Sequence, residues 1–177
     1  MAMTLLLGGA ASGKSRSAAA LAASTGLPVT VIATAEALDD EMTSRIARHR
    51  RERPGGWSVI EEPRDLTGAV ERAHGAAIVD CLTLWVSNLL GYDLDEEEIF
   101  VRAAAAAKSF AARPEPTIVV SNEVGSGIVP MNPLARQYRD VLGRVNATFA
   151  DEADVVALMV AGRAVRLSTI STDLEGS

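Results

Sequence analysis

Apolar and polar positions along this chain alternate between two periods. Short, wholly apolar runs are separated by longer stretches with helical spacing. Met3–Leu7 reads as a buried strand, and Lys14–Ala23 as a helix that stops at Gly26, where glycine tolerates the left-handed turn past a helix end. Val29–Ala33 is a second, β-branched run. Asp39-Asp40-Glu41 opens a helix that runs towards Arg53 and must end before Pro54. Ser58–Ile60 predicts a short strand and Leu66–Ala73 a short helix. Ala76–Val79 predicts a strand ending on Asp80, followed by a helix through Trp85 to Leu90. Asp95–Ala112 is a long helical stretch with acids in its first turn and bases later, as the helix dipole prefers. Pro114 and Pro116 break it. Thr117–Val120 is a strand, Asn132-Pro133 opens a helix to about Phe149, and Val155–Val160 is the last clear strand. Apolar strands alternating with helices predict an α/β fold, a mainly parallel sheet with helices on both faces. The domain is expected to span residues 1–167, and the tail from Ser168 to Ser177 is expected to be frayed.

The junction between the first strand and the first helix carries the clearest chemistry. Gly8-Gly9-Ala10-Ala11-Ser12-Gly13-Lys14-Ser15 matches G-x-x-x-x-G-K-[ST] in full, in the strand–loop–helix setting that the motif requires. Glycines let backbone N–H groups crowd around phosphate oxygens, and the helix start adds the positive end of its dipole. Lys14 is placed to reach the outer phosphates, and the Ser15 hydroxyl to ligate Mg²⁺. The expected fold is therefore a single P-loop NTPase-like, RecA-like domain.

Composition narrows the partners. With 177 residues the chain can bury a sizeable core. Its net charge is −6 and aromatics are 4%, which argues against a nucleic-acid binder and against base-stacking platforms. The single cysteine, Cys81, excludes an internal disulfide framework and a cysteine-rich zinc site, and reads as a small buried side chain. No apolar run approaches membrane-spanning length, and a cytoplasmic protein with no membrane anchor is expected.

A second constellation is Arg45-Ile46-Ala47-Arg48-His49-Arg50-Arg51-Glu52-Arg53-Pro54, five arginines around one of two histidines. Arg45 and His49 are four apart and share a helix face. Arginine suits bidentate phosphate contact. Its positive charge disfavours imidazolium, leaving the neutral imidazole that a nucleophile requires. A solvated basic face with an incidental histidine fits the same residues. Asp80 at a strand end fits a Walker B carboxylate. Trp85 reads as core, and His74 as capping a short helix. Ser121-Asn122-Glu123-Val124-Gly125-Ser126-Gly127 follows another strand, where parallel sheets bind ligands. There Glu123 either orients a substrate hydroxyl, serves as a base, or satisfies loop backbone.

Taken together these stretches resemble the bifunctional adenosylcobinamide kinase / adenosylcobinamide-phosphate guanylyltransferase family of cobalamin biosynthesis. Besides the P-loop, the matching pieces are Ile32–Ala35, Leu38–Met42, Arg45-Ile46 through His49 to Arg53-Pro54, and Trp57 with Glu61-Glu62. Val79–Trp85, Ser121–Gly125, Gly127-Ile128-Val129-Pro130, Arg139-Asp140 and Gly143–Asn146 continue the series. The resemblance implies that His49 attacks the α-phosphate of GTP, expels pyrophosphate and carries GMP to adenosylcobinamide phosphate. It implies that the P-loop and Mg²⁺ position ATP or GTP for phosphorylation of adenosylcobinamide. Nucleotide contacts would fall on Ala33, Thr34, Ala35, Arg50, Arg51, Glu52, Arg53, Glu61 and Asp80. A carboxylate such as Glu61 can accept from the donor edge of guanine, which adenine lacks; Asp80 is a candidate for both guanine reading and Mg²⁺. The resemblance also implies a homotrimer. Ala11 stands where the family loop usually has arginine, and the ending Arg163–Leu167 is looser than usual. Two other readings stay open on residues alone: a P-loop small-molecule kinase without nucleotidyl transfer, and a nucleotide-driven assembly protein of the recombinase type.

Overall fold

The structure, a computed structural model, describes residues 3–37, 39–52 and 54–169. Seven strands form one sheet in the order β3-β2-β4-β5-β1-β6-β7. They are β1 (Met3–Gly8), β2 (Val29–Ala33), β3 (Ser58–Glu61), β4 (Ala76–Asp80), β5 (Thr117–Val120), β6 (Val155–Val160) and β7 (Arg163–Leu167). The first six strands run parallel, and only β7 is antiparallel to its neighbour. The helices are α1 (Lys14–Ser24), α2 (Asp40–Glu52), α3 (Leu66–Glu71), α4 (Leu82–Gly91), α5 (Glu96–Ala111) and α6 (Pro133–Glu152). The predicted α/β architecture, with a mainly parallel sheet covered on both faces, is therefore present.

The period-2 alternation of the strands sorts their side chains onto the two faces. Met3, Leu5, Leu7, Ile32, Val79 and Val119 enter the larger core beneath α3, α4, α5 and α6, where Trp85, Phe110 and Phe149 are fully buried. Leu6, Val31, Ile78, Ile118 and Val120 face the other way, onto Ala18 and Ala22 of α1. The alanines of α1 let that helix lie close to the sheet.

Local chemistry starts the helices where the sequence does. Asp95 accepts from Glu98 N at 2.8 Å, and Asn132 accepts from Leu134 N at 2.8 Å ahead of Pro133. The structure differs from the sequence pattern at three places. β7 lies beyond the last strand the pattern predicts: Arg163–Leu167 is exposed along its whole length, and Arg163 and Arg166 break up its apolar residues. Helix α6 runs to Glu152, past Phe149. Helix α3 ends at Glu71, so His74 caps nothing; its backbone is instead latched to Thr30 Oγ1, by N–H donation at 3.1 Å and carbonyl acceptance at 2.8 Å.

Candidate active site

The P-loop leaves β1 at Gly8 and enters α1 at Lys14. Gly8 and Gly13 have φ of +151° and +98°, and Ala11 a φ of +55°. At Gly8 no other residue fits, since a Cβ would lie 2.4 Å from the carbonyl oxygen of Met159. Gly13, the residue before α1, offers no side-chain cap, so the first N–H groups of the helix meet no side-chain acceptor there. Lys14 is buried, and its Nζ donates to Gly8 O at 2.8 Å and Gly9 O at 2.7 Å. The ammonium is thus held over the mouth of the loop. Two outside contacts fix the loop further. Glu123 N donates to Gly8 O at 3.1 Å, and Gly162 N donates to Ser12 O at 2.9 Å. Gly162 lies at the tip of the β6–β7 hairpin, where both Ala161 (φ +50°) and Gly162 (φ +74°) are left-handed as a two-residue turn demands.

The strand register gathers the other polar candidates. Glu61 of β3 pairs with Ala33 of β2, Ala33 with Asp80 of β4, Asp80 with Val120 of β5, and Val120 with Leu6 of β1. Glu61, Ala33 and Asp80 therefore stand on one rung, two residues below the first P-loop glycine. Asp80 is two strand spacings from β1, about 10 Å. Ser15 lies in the first turn of α1 and Asp80 ends β4. A hydroxyl and a carboxylate are hard oxygen donors, which suits Mg²⁺ bound chiefly by phosphate and water. Among the described residues, no three His, Cys, Asp or Glu side chains gather as a ready-made metal cluster.

Thr34 is fully buried and bonded on both sides. Its Oγ1 donates to Cys81 O at 2.7 Å and accepts from Cys81 N at 2.8 Å, and its N–H donates to Asp80 O at 3.2 Å. Ala35 follows it, half-buried. Arg50 and Arg51 are exposed on α2, and Arg50 Nη2 pairs with Glu61 Oε1. The carboxylate expected to read guanine is thus engaged by an arginine of the basic helix. The two flank a groove of about 400 Å³ lined also by Gly55, Gly56, Trp57 and Val59. His49 and Glu52 belong to the backbone of α2, but their side chains, and Arg53 entirely, lie outside the described residues, as does the tail from Ile170. Cys81 is half-buried, and burial together with the neighbouring Asp80 charge pushes its thiol up to about 11. It is a packing residue, as expected, and carries no thiolate near neutral pH.

Residues 4–167 match the family described as cobinamide kinase / cobinamide phosphate guanyltransferase. The chain belongs to this family. The bifunctional adenosylcobalamin biosynthesis protein CobP of Pseudomonas aeruginosa is 44% identical over 89% of this chain and 92% of its own length. The corresponding CobU protein of Escherichia coli is 39% identical over 93% of this chain and 99% of its own. Among solved structures, the flagellar accessory protein FlaH of Methanocaldococcus jannaschii superposes with a TM-score of 0.52 at 15% identity, covering 94% of this chain and 77% of that one. That likeness speaks to the P-loop, RecA-like fold alone.

In this cobinamide kinase family member, sequence reasoning missed a polar lattice behind the site. Asn88 Nδ2 donates to Thr34 O at 2.8 Å and Pro63 O at 3.1 Å, and Trp85 Nε1 to Arg64 O at 2.8 Å. Thr83 Oγ1 accepts from Asn122 N at 2.8 Å, and Asn146 Nδ2 donates to Asn122 O at 3.0 Å. Helix α4 and Asn146 of α6 thereby hold the loops that follow β2, β3 and β5. The signal was present: in the mostly apolar α4, Thr83 and Asn88 are polar and buried while Ser87 is exposed, and a buried polar side chain must find a partner.

Proposed function

We propose that this protein phosphorylates adenosylcobinamide with ATP or GTP and then guanylylates the product with GTP, working as a cytoplasmic homotrimer with Mg²⁺. The reading is supported chiefly by one observation: the family match spans the chain, and within it a preformed P-loop carries a lysine already turned over its mouth. Phosphorylation needs little covalent help from the protein. The hydroxyl of the aminopropanol arm attacks the γ-phosphorus and gives up its proton to water, the bond to the β–γ bridging oxygen breaks, and the nucleoside diphosphate leaves. Lys14 and the P-loop N–H groups offset the charge that builds on the phosphate oxygens. Ser15 and Asp80 would hold Mg²⁺, which neutralises phosphate charge when bound.

In the second activity a neutral ring nitrogen of His49 attacks the α-phosphorus of GTP. The P–N bond forms, the P–O bond to pyrophosphate breaks, and GMP is left on the histidine. An oxygen of adenosylcobinamide phosphate then attacks that phosphorus, the P–N bond breaks, and adenosylcobinamide-GDP leaves with His49 restored. Ala33, Thr34, Ala35, Arg50, Arg51, Glu52, Arg53 and Glu61 would bind the guanine nucleotide. Release of Glu61 from Arg50 would free one partner for the base and the other for phosphate.

Intact mass after incubation with Mg²⁺ and GTP tests this. A GMP adduct that is labile in acid and stable in alkali is expected on the natural chain and absent from His49→Ala. Equal adduct on both would move the nucleophile elsewhere. No adduct on either, with nucleotide bound, would leave a kinase alone.

A further inference from the structure

The stretch Gly127-Ile128-Val129-Pro130 belongs to the resemblance but has no part in the phosphate chemistry. It lies in the loop between β5 and α6. Ile128 is 97% exposed, Met131 96%, Leu134 63% and Val129 59%. Among the described residues twelve large hydrophobic side chains are exposed, and four of them fall within these seven positions. Water contact at so many adjacent apolar groups marks a surface built to be covered.

The loop is tied down at its base. Arg136 Nη1 donates to Pro130 O at 3.0 Å and Met131 O at 2.7 Å, and Asn132 caps α6. Its first residues are fastened to the phosphate cradle, through Glu123 N on Gly8 O. Beyond the loop, Tyr138 OH of α6 donates to Thr83 O of α4 at 3.1 Å. Ile128, Val129 and Met131 are therefore carried by a loop tied at both ends and rooted beside the P-loop, and Leu134 by the first turn of α6.

This inference rests on the functional reading above. The acceptor substrate presents its reacting hydroxyl on a slender arm attached to a corrin ring much larger than a nucleotide. The ring must rest outside the cradle but within an arm's length of it. Its methyl-bearing faces call for apolar contact, and its amide rim for backbone partners. We propose that Ile128, Val129, Met131 and Leu134 form a platform for the corrin ring while the arm reaches the P-loop. Gly127, where a Cβ would meet no atom within 4 Å, leaves its backbone open to a bulky neighbour.

The test uses the full-length double variant Ile128→Ser/Met131→Ser. The KM for adenosylcobinamide should rise by about tenfold or more, from the apolar area lost. The KM for ATP and GMP-adduct formation from GTP, which involves no corrinoid, should stay within about twofold. Ile128→Leu/Met131→Leu should restore the corrinoid KM, which a general disturbance of the loop would not allow. An unchanged corrinoid KM overturns the platform while leaving the functional reading intact. A change in assembled mass overturns it too, and gives the patch to a second copy of the chain. A natural chain that neither phosphorylates adenosylcobinamide nor takes up GMP overturns both.

Discussion

The P-loop and the arginine-rich helix, both proposed to serve the nucleotide chemistry, stand in opposite structural circumstances. The P-loop is anchored to the loop after β5, to the β6–β7 hairpin and to its own lysine, and α1 behind it is packed into the smaller core. Helix α2 has no residue in either core cluster among those described. Among its described side chains, Arg50 makes an exposed pair with Glu61, and at the helix start Asp39 Oδ1 accepts from Met42 N at 2.6 Å. An exposed ion pair contributes little, on the order of 0–1 kcal/mol. The contrast suits two different chemical tasks. A γ-phosphate moves a short way between bound partners and profits from a rigid, preorganised cradle. A side chain that accepts GMP and then gives it up must present the same phosphorus to two different groups, which favours an element free of the core.

The largest expected effect separates the two regions by activity. Lys14→Met should lower kcat/KM for phosphorylation by about 10²–10³-fold, the usual range for losing a donor aimed at transition-state charge. His49→Ala should abolish GMP-adduct formation while leaving phosphorylation within about twofold. Initial rates with labelled ATP and intact mass with GTP read the two. If His49→Ala cost phosphorylation as much as Lys14→Met does, the helix would belong to the kinase machinery and the division would fall.

The anchored region was largely legible in the sequence, and the helical one much less so. Glycine, lysine and serine at fixed spacing between a strand and a helix admit few conformations, so Gly8–Ser15 announces both its shape and its ligand. The rung that brings Glu61, Ala33 and Asp80 level is a matter of strand order, and no local pattern encodes that β4 and β5 lie between β2 and β1. Gly162 escaped notice for the same reason: its contact with Ser12 spans the chain. For α2, composition showed charge but not partners. That Arg50 would take Glu61 follows from the tertiary placement of β3, which the sequence leaves unstated.

A second comparison needs only thiols. Cys81 sits at the carboxyl end of β4, where burial and Asp80 hold its pKa up to about 11. A raised thiol pKa keeps the proton on, so at pH 8 the reactive thiolate should be on the order of a hundredfold scarcer than for an ordinary cysteine. The natural chain should therefore react slowly with a thiol reagent, and its rate should climb about tenfold per pH unit until the pH approaches that value. Ser44→Cys, at an exposed position on α2, should add a fast phase at the ordinary rate. A fast Cys81 would mean that the end of β4 opens as readily as α2 and would break the contrast.

The smallest effects are in stability, and they compare glycines. At Gly8 a Cβ would sit 2.4 Å from Met159 O and 2.9 Å from Ser12 Oγ, with φ at +151°. One of those atoms is backbone in a central strand, so it cannot step aside cheaply. Gly8→Ala should cost about 2–3 kcal/mol and lower Tm by roughly 5–10 °C. At Gly55, on the groove beside α2, a Cβ meets no atom within 4 Å. Gly55→Ala there reduces only the freedom of the unfolded chain and should leave stability unchanged or raise it by about 0.5 kcal/mol. Thermal melts of the two variants measure how tightly each region is specified. Equal losses would show that the groove beside α2 is as closely held as the cradle, and α2 could then present His49 only by moving together with its surroundings.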